Sequence, residues 1–149
     1  MPYVSDFRSS AIVLDSKRLN KQLLEGRQIF AALLGLTKGW VNHPATRMWK
    51  NHETFLYEYL LAIKDECVRR GIQTQKNWSA IQDMYDKYFA HDKNFSVPVW
   101  MTNREIAEKI EITHRANLYL KDPEYYDEFD YAVDTYRDSV CCDRCNYFW

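Results

Sequence analysis

The second residue of the chain is a candidate nucleophile. Removal of Met1, which is expected when the next residue is small, would leave Pro2 as a terminal secondary amine. A terminal amine has a pKa well below that of lysine, so a useful fraction is neutral and nucleophilic at physiological pH. Such an amine attacks a carbonyl-like carbon and forms an iminium ion. Because many chains begin with Met-Pro, this interpretation also needs a partner acid and a surface that binds substrate.

Glu25 is the candidate acid. It lies in the string LDSKRLNKQLLEGRQIF, where Lys17, Lys21 and Glu25 follow one another at four-residue spacing and so share one stripe of a helix. The same polar side also carries Arg18 and Arg27. On this pattern alone, a surface ion pair between Lys21 and Glu25, contributing about 0.2–0.5 kcal/mol, is the simpler interpretation.

The cysteines and histidines give only weak metal-binding signals. Cys142-x-x-Cys145 has the spacing of half a zinc site or of a redox pair, but no second CxxC or CxxH pair accompanies it. Reduced surface thiols are the simpler interpretation. The histidines show no HxxxH or HExxH spacing, and the sequence has no glycine-rich phosphate loop. We therefore expect neither a metal nor a cofactor.

The elements that must position Pro2 and Glu25 are predicted to be helices. The chain has only four Gly and four Pro, too few for an all-β fold with a turn every 8–12 residues or so. Apolar periodicity and helix-start residues predict helices from Ser9 or Ser10 to Leu34, over 52–70, over 76–89, and from the Asp122-Pro123 pair to residue 140. Residues 102–120, capped by Thr102 or Asn103, are predicted as one helix or as two short ones with a new turn at Thr113.

Between these helices, residues 35–51 read as a connection with a short helical turn at 44–50, and 95–100 as extended chain or loop. We expect an all-α fold: a compact single-domain bundle of about four to five helices over residues 1–140. A tail rich in cysteine and aromatic residues follows over 141–149.

The formal net charge of −1 conceals an asymmetry. Residues 1–70 carry eleven Lys or Arg against seven Asp or Glu, whereas 71–149 carry nine against fourteen. A neutral total therefore does not exclude a basic face. No stretch approaches the roughly 18 apolar residues of a membrane span, and the N-terminus lacks the pattern of a secretory signal. The expected compartment is the cytoplasm.

Several strings resemble the pyrimidine-dimer DNA glycosylase (endonuclease V-like) family. They are LDSKRLNKQLLEGRQIF, NHPATRMW, ECVRRGI and THRANLYLKDPEYYDEF, and the similarity covers about residues 3–130. The resemblance implies a small helical repair enzyme whose terminal amine, here Pro2, attacks C1′ of a damaged nucleotide. It implies that Glu25 then stabilises the sugar intermediate and assists β-elimination at the abasic site.

The resemblance also implies double-stranded DNA as the partner of a monomer. The residues expected to contact phosphates are Lys17, Arg18, Lys21, Arg27, Arg47, Lys50, His114 and Arg115, the last two at a helix start. Trp40 and Trp49 are candidates to stack against an opened base site, with core packing as the alternative. Two other functions remain open: a DNA base-hypermodification enzyme acting on a modified pyrimidine, and a non-catalytic DNA-binding or protein-interaction module.

Overall fold

The computed structural model describes residues 1–91, 96–139 and 147–148 of the chain. Within these residues the fold is all-α, with eight α-helices, one short 3-10 helix and no β-strand, which confirms the predicted class. The α-helices are α1 (Phe7–Val13), α2 (Ser16–Leu33), α3 (Pro44–Trp49), α4 (Glu53–Arg69), α5 (Gln75–Tyr88), α6 (Val99–Thr102), α7 (Arg104–Lys121) and α8 (Asp130–Ser139). The 3-10 helix spans Asp127–Phe129.

The first predicted helix is two helices, because Asp15 starts a new one. Asp15 has extended backbone angles (φ −64°, ψ 161°), and its Oδ1 accepts hydrogen bonds from the backbone amides of Lys17 at 2.9 Å and Arg18 at 3.0 Å. These contacts satisfy amides that have no partner within the helix, as an N-cap does. Asp15 thus fixes where α2 begins, about ten residues before Glu25.

Helices α3, α4 and α5 lie close to their predicted positions. His43 is extended, as predicted for a residue before proline, and its Nδ1 accepts from the amide of Ala45 at 3.2 Å. Gly35 and Gly71 have φ of 69° and 71° just past the ends of α2 and α4, which is the backbone conformation that favours glycine.

The predicted boundaries after residue 95 are partly wrong. A short helix, α6, occupies part of the segment expected to be extended chain or loop. For 102–120 the single-helix alternative and the cap at Asn103 are confirmed, and α7 runs through Thr113 without a new start. The buried Thr113 hydroxyl donates to the carbonyl of Ile110 at 3.1 Å, so this residue bonds within the helix and does not cap one. The Asp122-Pro123 pair forms a turn, in which Asp122 Oδ1 accepts from the amide of Tyr125 at 3.3 Å, and α8 begins only at Asp130.

The described chain divides into two compact units. The first unit is residues 7–98, and the second is residues 1–6 with the described part of 99–149. The single domain expected over 1–140 stays a prediction, and its boundary at residue 140 lies outside the described residues. Among the helices described, none has both the length and the apolar character that crossing a bilayer requires.

In the first unit, α2 packs against α4 and α5, while α1 packs on α4. Its core is formed by fully buried apolar side chains of α2, α4 and α5: Leu19, Leu23, Phe30, Leu56, Leu60, Ile63 and Ile81. In the second unit, α7 packs against α8, α6 and the 3-10 helix. Ala116, Ala132 and Val133 form an apolar cluster there, with Ile112 and Tyr119 against it.

A buried acid joins the end of α4 to the end of α1 in the first unit. Glu66 is 6% exposed and accepts from Arg69 Nε at 2.7 Å and from Arg70 Nε at 2.5 Å. Arg70 in turn donates to the carbonyls of Leu14 and Ile12, each at 2.6 Å. Carbonyls at a helix end lack intrahelical partners, so Glu66 holds in place the arginine that satisfies them.

Gly26 is the point of closest approach between α2 and α4. A Cβ at this position would overlap both methyl groups of Leu60, which is only 1% exposed. We expect Gly26→Ala to lower the free energy of unfolding, because overpacking costs about 1–3 kcal/mol and exceeds the gain of about 1 kcal/mol from replacing a helical glycine.

The effect of Gly26→Ala on the free energy of unfolding should change sign when Leu60 is shortened. In a Leu60→Ala background the added methyl group fills vacated space, so Gly26→Ala should raise the free energy of unfolding by about 1 kcal/mol. Urea denaturation of the two single variants and the double variant checks this. Equal effects of Gly26→Ala in both backgrounds would contradict the proposed contact.

The Glu66 cluster predicts a pH dependence of stability. Hydrogen bonds from Arg69, joined by those from Arg70 and opposed by burial, lower the pKa of Glu66 from 4.5 to about 2. The folded state therefore favours the ionised acid, and this stabilisation is complete above pH 4.5 and lost as the pH falls through 2. We expect Glu66→Gln to destabilise by on the order of 3 kcal/mol at pH 7, and by less at pH 2.5 or so.

Urea denaturation at both pH values measures this difference. Glu58→Gln is the matched control, because Glu58 lies on the same helix but is exposed. A Glu66→Gln variant that loses stability on acidification as steeply as the wild type would overturn the assignment.

Candidate active site

Glu25 projects from the middle of α2 with its side chain 28% exposed. One of its oxygens, Oε1, lies 3.4 Å from Lys21 Nζ, and the other, Oε2, accepts from the side-chain amide of Gln22 at 3.3 Å. Lys21 itself is 66% exposed, so water screens the ion pair and its contribution to stability is small. The carboxylate is thus oriented from one side while it remains open to solvent.

Gln22 is itself fixed by a buried tyrosine of α4. Tyr59 is 4% exposed, and its hydroxyl donates to Gln22 Oε1 at 2.9 Å. Because that oxygen accepts, the amide nitrogen of Gln22 is turned toward Glu25. Burial, and then the negative charge of Glu25, raise the pKa of Tyr59, so the phenol stays protonated and donates. The three side chains form a directed chain of hydrogen bonds from the core to the surface carboxylate.

Sequence reasoning missed Gln22 and Tyr59. The spacing of Gln22 and Glu25, three residues apart on one helix, was a usable signal, since such pairs are neighbours on a helix surface. Tyr59 gave no signal of its own, because its apolar neighbours placed it with the core residues of α4.

Trp49 belongs to the core and does not lie at the surface where a base could stack on it. It is 4% exposed, with its ring 5.9 Å from Tyr59 in a stacked arrangement and 6.5 Å from Phe7 in an edge contact. Phe7 also lies 5.5 Å from Tyr59. Core packing, the alternative considered for this ring, accounts for its position: the rings of Trp49 and Phe7 support the tyrosine that orients Gln22.

Trp40 lines an open groove of about 500 Å³ in the first unit. It is half-buried, has a φ of 64° and stacks on His43 with the ring centres 4.3 Å apart. The groove runs between α2 and α5 and is lined by Arg27, Gln28, Ala31, Thr37, Trp40, Ala80, Asp83 and Met84. Trp40 and Arg27, both predicted to contact DNA, therefore meet at one groove.

The other residues of the first unit that were predicted to contact phosphates differ in how accessible they are to solvent. Lys17, Lys21, Arg47 and Lys50 are exposed. Arg18 is half-buried, and its Nη1 donates to Asp15 Oδ2 at 2.5 Å. The guanidinium of Arg18 is thus engaged in the cap of α2, and the exposed cations are the better phosphate ligands.

His114 and Arg115 lie in the middle of α7, not at the helix start where they were predicted. Arg115 is 15% exposed, and its nitrogens donate to Pro2 O at 2.9 Å, Tyr131 Oη at 2.8 Å and Glu111 Oε2 at 3.1 Å. A guanidinium with these three internal partners does not present a helix-start site for phosphate. The predicted helix start at these residues is wrong, and the phosphate contact stays a prediction.

His114 is a neutral residue. Its Nδ1 lies 2.7 Å from the carbonyl of Ile110, which can only accept, so Nδ1 carries the proton. Burial, followed by the positive charge of the terminal amine, lowers the pKa of His114 well below 6.5. A neutral ring offers no positive charge to a phosphate, and the predicted contact of His114 stays a prediction.

Residues 2–4 run along α7 in the second unit. The carbonyl of Pro2 accepts from Arg115 as described, and the amide of Val4 donates to Glu111 Oε1 at 2.7 Å. Val4 is fully buried, and the Tyr3 ring lies beneath the Arg115 guanidinium at 4.6 Å. The candidate nucleophile thus belongs to the second unit, and Glu25 to the first.

Within the described residues, no group of three His, Cys, Asp or Glu side chains is placed to hold a metal ion. Burial raises the pKa of Cys67 to about 11, so this residue stays a thiol. Cys142 and Cys145 lie outside the described residues.

Comparison with known proteins gives one match. The family model described as pyrimidine dimer DNA glycosylase matches residues 1–80, more than half of the chain. No protein of curated function and no solved structure matches. The matched segment contains Pro2, Glu25 and the Gln22–Tyr59 pair, while α7 and α8 lie beyond it.

Proposed function

The chain belongs to the pyrimidine dimer DNA glycosylase family, and from that premise we propose that it excises a damaged pyrimidine from double-stranded DNA and cuts the resulting abasic site. The observation that carries this proposal is the orientation of Glu25. Within the residues that match the family, a buried tyrosine and a glutamine hold this carboxylate on the polar face of α2. A surface ion pair with Lys21 alone would not require the contact with Tyr59.

In the proposed reaction, the Pro2 amine is the nucleophile once Met1 has been removed. Its nitrogen forms a bond to C1′ of the damaged nucleotide while the bond from C1′ to the base breaks, and the base leaves with the electron pair and takes up a proton. The nitrogen then loses its N–H proton and forms a double bond to C1′ while the C1′–O4′ bond breaks, and O4′ takes up a proton, which gives an open-chain iminium ion. A secondary amine can form this cation because it needs no second N–H.

Glu25 has two roles in this scheme. Its negative charge stabilises the positive charge that develops on the sugar. It then accepts the proton from C2′, so the electron pair of that C–H bond forms the C2′–C3′ double bond and the 3′ phosphate leaves. Water finally hydrolyses the iminium ion and releases Pro2.

The exposed lysines and arginine of the first unit provide the proposed DNA-binding surface. Lys17 and Lys21 share a stripe with Glu25 on α2, and Arg47 and Lys50 lie on α3 and just after it. Cations in these positions bind phosphates and fix the register of the duplex without reading its sequence. Trp40, which lines the groove between α2 and α5, is a candidate to stack on an opened base site.

Borohydride trapping on DNA with an abasic site tests the chemistry. Wild-type protein should show loss of Met1 by intact mass and form a covalent adduct at Pro2. An N-terminal extension should abolish the adduct. Glu25→Gln should lower base excision and strand cleavage by about 100-fold or more, because general acid–base groups contribute on that order. Glu58→Gln, an exposed acid of α4, should leave both unchanged.

The other outcomes distinguish the remaining functions. Absence of any wild-type adduct would indicate a non-catalytic DNA-binding or interaction module. Trapping without cleavage of ultraviolet-irradiated DNA would indicate another lesion or a modified base as the substrate.

Salt dependence tests the DNA-binding surface. Replacing both Lys17 and Lys21 by Ala should weaken DNA binding and reduce the slope of log K against log salt by about 1.8, since each lost phosphate contact contributes about 0.9. The matched control is the double variant Arg104→Ala and Lys109→Ala, which removes two exposed charges from α7. An equal effect of both double variants would reject the surface on α2.

A further inference from the structure

We propose that Glu111 and Arg115 of α7 are positioning residues that hold the backbone of residues 2–4 and thereby fix the terminal amine for attack. This inference rests on the proposed function, in which Pro2 is the nucleophile. It assigns a role to a part of the chain that lies beyond the residues matched by the family model.

The two side chains hold the segment at two backbone points on either side of Tyr3. Glu111 Oε1 accepts from the amide of Val4 at 2.7 Å, and Arg115 Nε donates to the carbonyl of Pro2 at 2.9 Å. Two attachment points restrict both the position and the direction of a short segment, whereas one would leave it free to rotate. Both contacts are to backbone atoms of residues 2 and 4, so removal of Met1 takes away neither partner.

Glu111 and Arg115 also orient each other. They are one helical turn apart, and Arg115 Nη2 donates to Glu111 Oε2 at 3.1 Å. Each carboxylate oxygen of Glu111 therefore has its own donor, the amide of Val4 on one and Arg115 on the other. The pair is 19% and 15% exposed, respectively, so water competes weakly for these hydrogen bonds.

Aromatic residues complete the attachment. The Arg115 guanidinium lies 4.6 Å from the centre of the Tyr3 ring and 5.8 Å from that of Phe129. Its remaining nitrogen, Nη1, donates to Tyr131 Oη at 2.8 Å, which stops the guanidinium plane from turning. Arg115 is thus fixed by contacts with α7, with α8 and with the terminal segment itself.

A terminal nucleophile needs such an attachment because chain ends are otherwise mobile. Attack on C1′ requires the nitrogen and carbon to be held close together and aligned, and a displacement of about 1 Å can cost on the order of 100-fold in rate.

The test compares Glu111→Leu with Glu111→Gln. Leucine removes the acceptor for the Val4 amide, whereas glutamine keeps a carbonyl oxygen there. The rate of borohydride trapping on abasic-site DNA should fall about 10- to 100-fold for Glu111→Leu and largely recover for Glu111→Gln. DNA affinity should stay within about twofold of wild type, because neither change is on the proposed DNA-binding surface. Glu108→Leu, an exposed acid on the same helix, is the control.

Hydrogen exchange of the Val4 amide provides a measurement that does not depend on activity. The amide should exchange faster in Glu111→Leu than in wild type, Glu111→Gln and Glu108→Leu. Unchanged exchange in Glu111→Leu would overturn the attachment, and faster exchange with unchanged trapping would overturn its catalytic purpose. If the wild-type protein forms no trapped adduct, the proposed function is rejected. The exchange data would still test the contact between Glu111 and Val4 in that case.

Arg115→Lys covers the case in which Glu111→Leu does not fold. Lysine keeps the charge but cannot reproduce the fork of guanidinium hydrogen bonds. We expect this variant to show faster Val4 exchange and slower trapping than wild type. A folded Arg115→Lys protein with the wild-type rate of Val4 amide exchange and the wild-type rate of trapping would contradict the proposal.

Discussion

The packing of α2 against α4 is the constraint on which the candidate site depends. Gly26 allows the two helices to approach until the methyl groups of Leu60 occupy the space of a missing side chain. At that separation the hydroxyl of Tyr59 on α4 reaches Gln22 on α2, one turn before Glu25. A larger residue at position 26 would push the helices apart, and a hydrogen bond of 2.9 Å tolerates little displacement. The glycine next to the carboxylate therefore serves the site through packing, without touching substrate.

Arg115 of the second unit has internal partners that its place in the sequence did not predict. Arg115 was expected to bind phosphate because of its charge and a supposed helix start. In the middle of α7 it instead binds a carbonyl, a carboxylate and a phenol. Each of these partners accepts a hydrogen bond as a phosphate oxygen would, so the planar guanidinium of Arg115 donates to acceptors within the protein with the geometry it would use for a phosphate. Its proposed contribution to chemistry is to hold the chain end that carries the nucleophile.

The sequence predicted the helical class and the positions of α3, α4 and α5, because those features follow from local periodicity, from Pro44 and from the glycines at 35 and 71. It did not predict the break at Asp15, since an aspartate inside a polar stripe and an aspartate that caps a helix look alike until the backbone is known. Glu25 was found through the resemblance of a string, whereas Tyr59 and Glu111 were missed. Both make contacts across more than thirty residues, Tyr59 with Gln22 and Glu111 with Val4, and no local pattern encodes such contacts.

The excess of basic residues over 1–70 overstates the charge offered to DNA. Arg18 is held by Asp15, and Arg69 and Arg70 by Glu66. Lys21 and Lys64 also pair with Glu25 and Asp65, so at least five of the eleven cations have an acidic partner within the fold. The proposed surface relies on fewer charges, namely Lys17, Lys21, Arg47 and Lys50. A small number of phosphate contacts gives modest binding to undamaged duplex. Such a surface suits an enzyme that must leave intact DNA quickly, because discrimination then depends on how readily a damaged base leaves the stack.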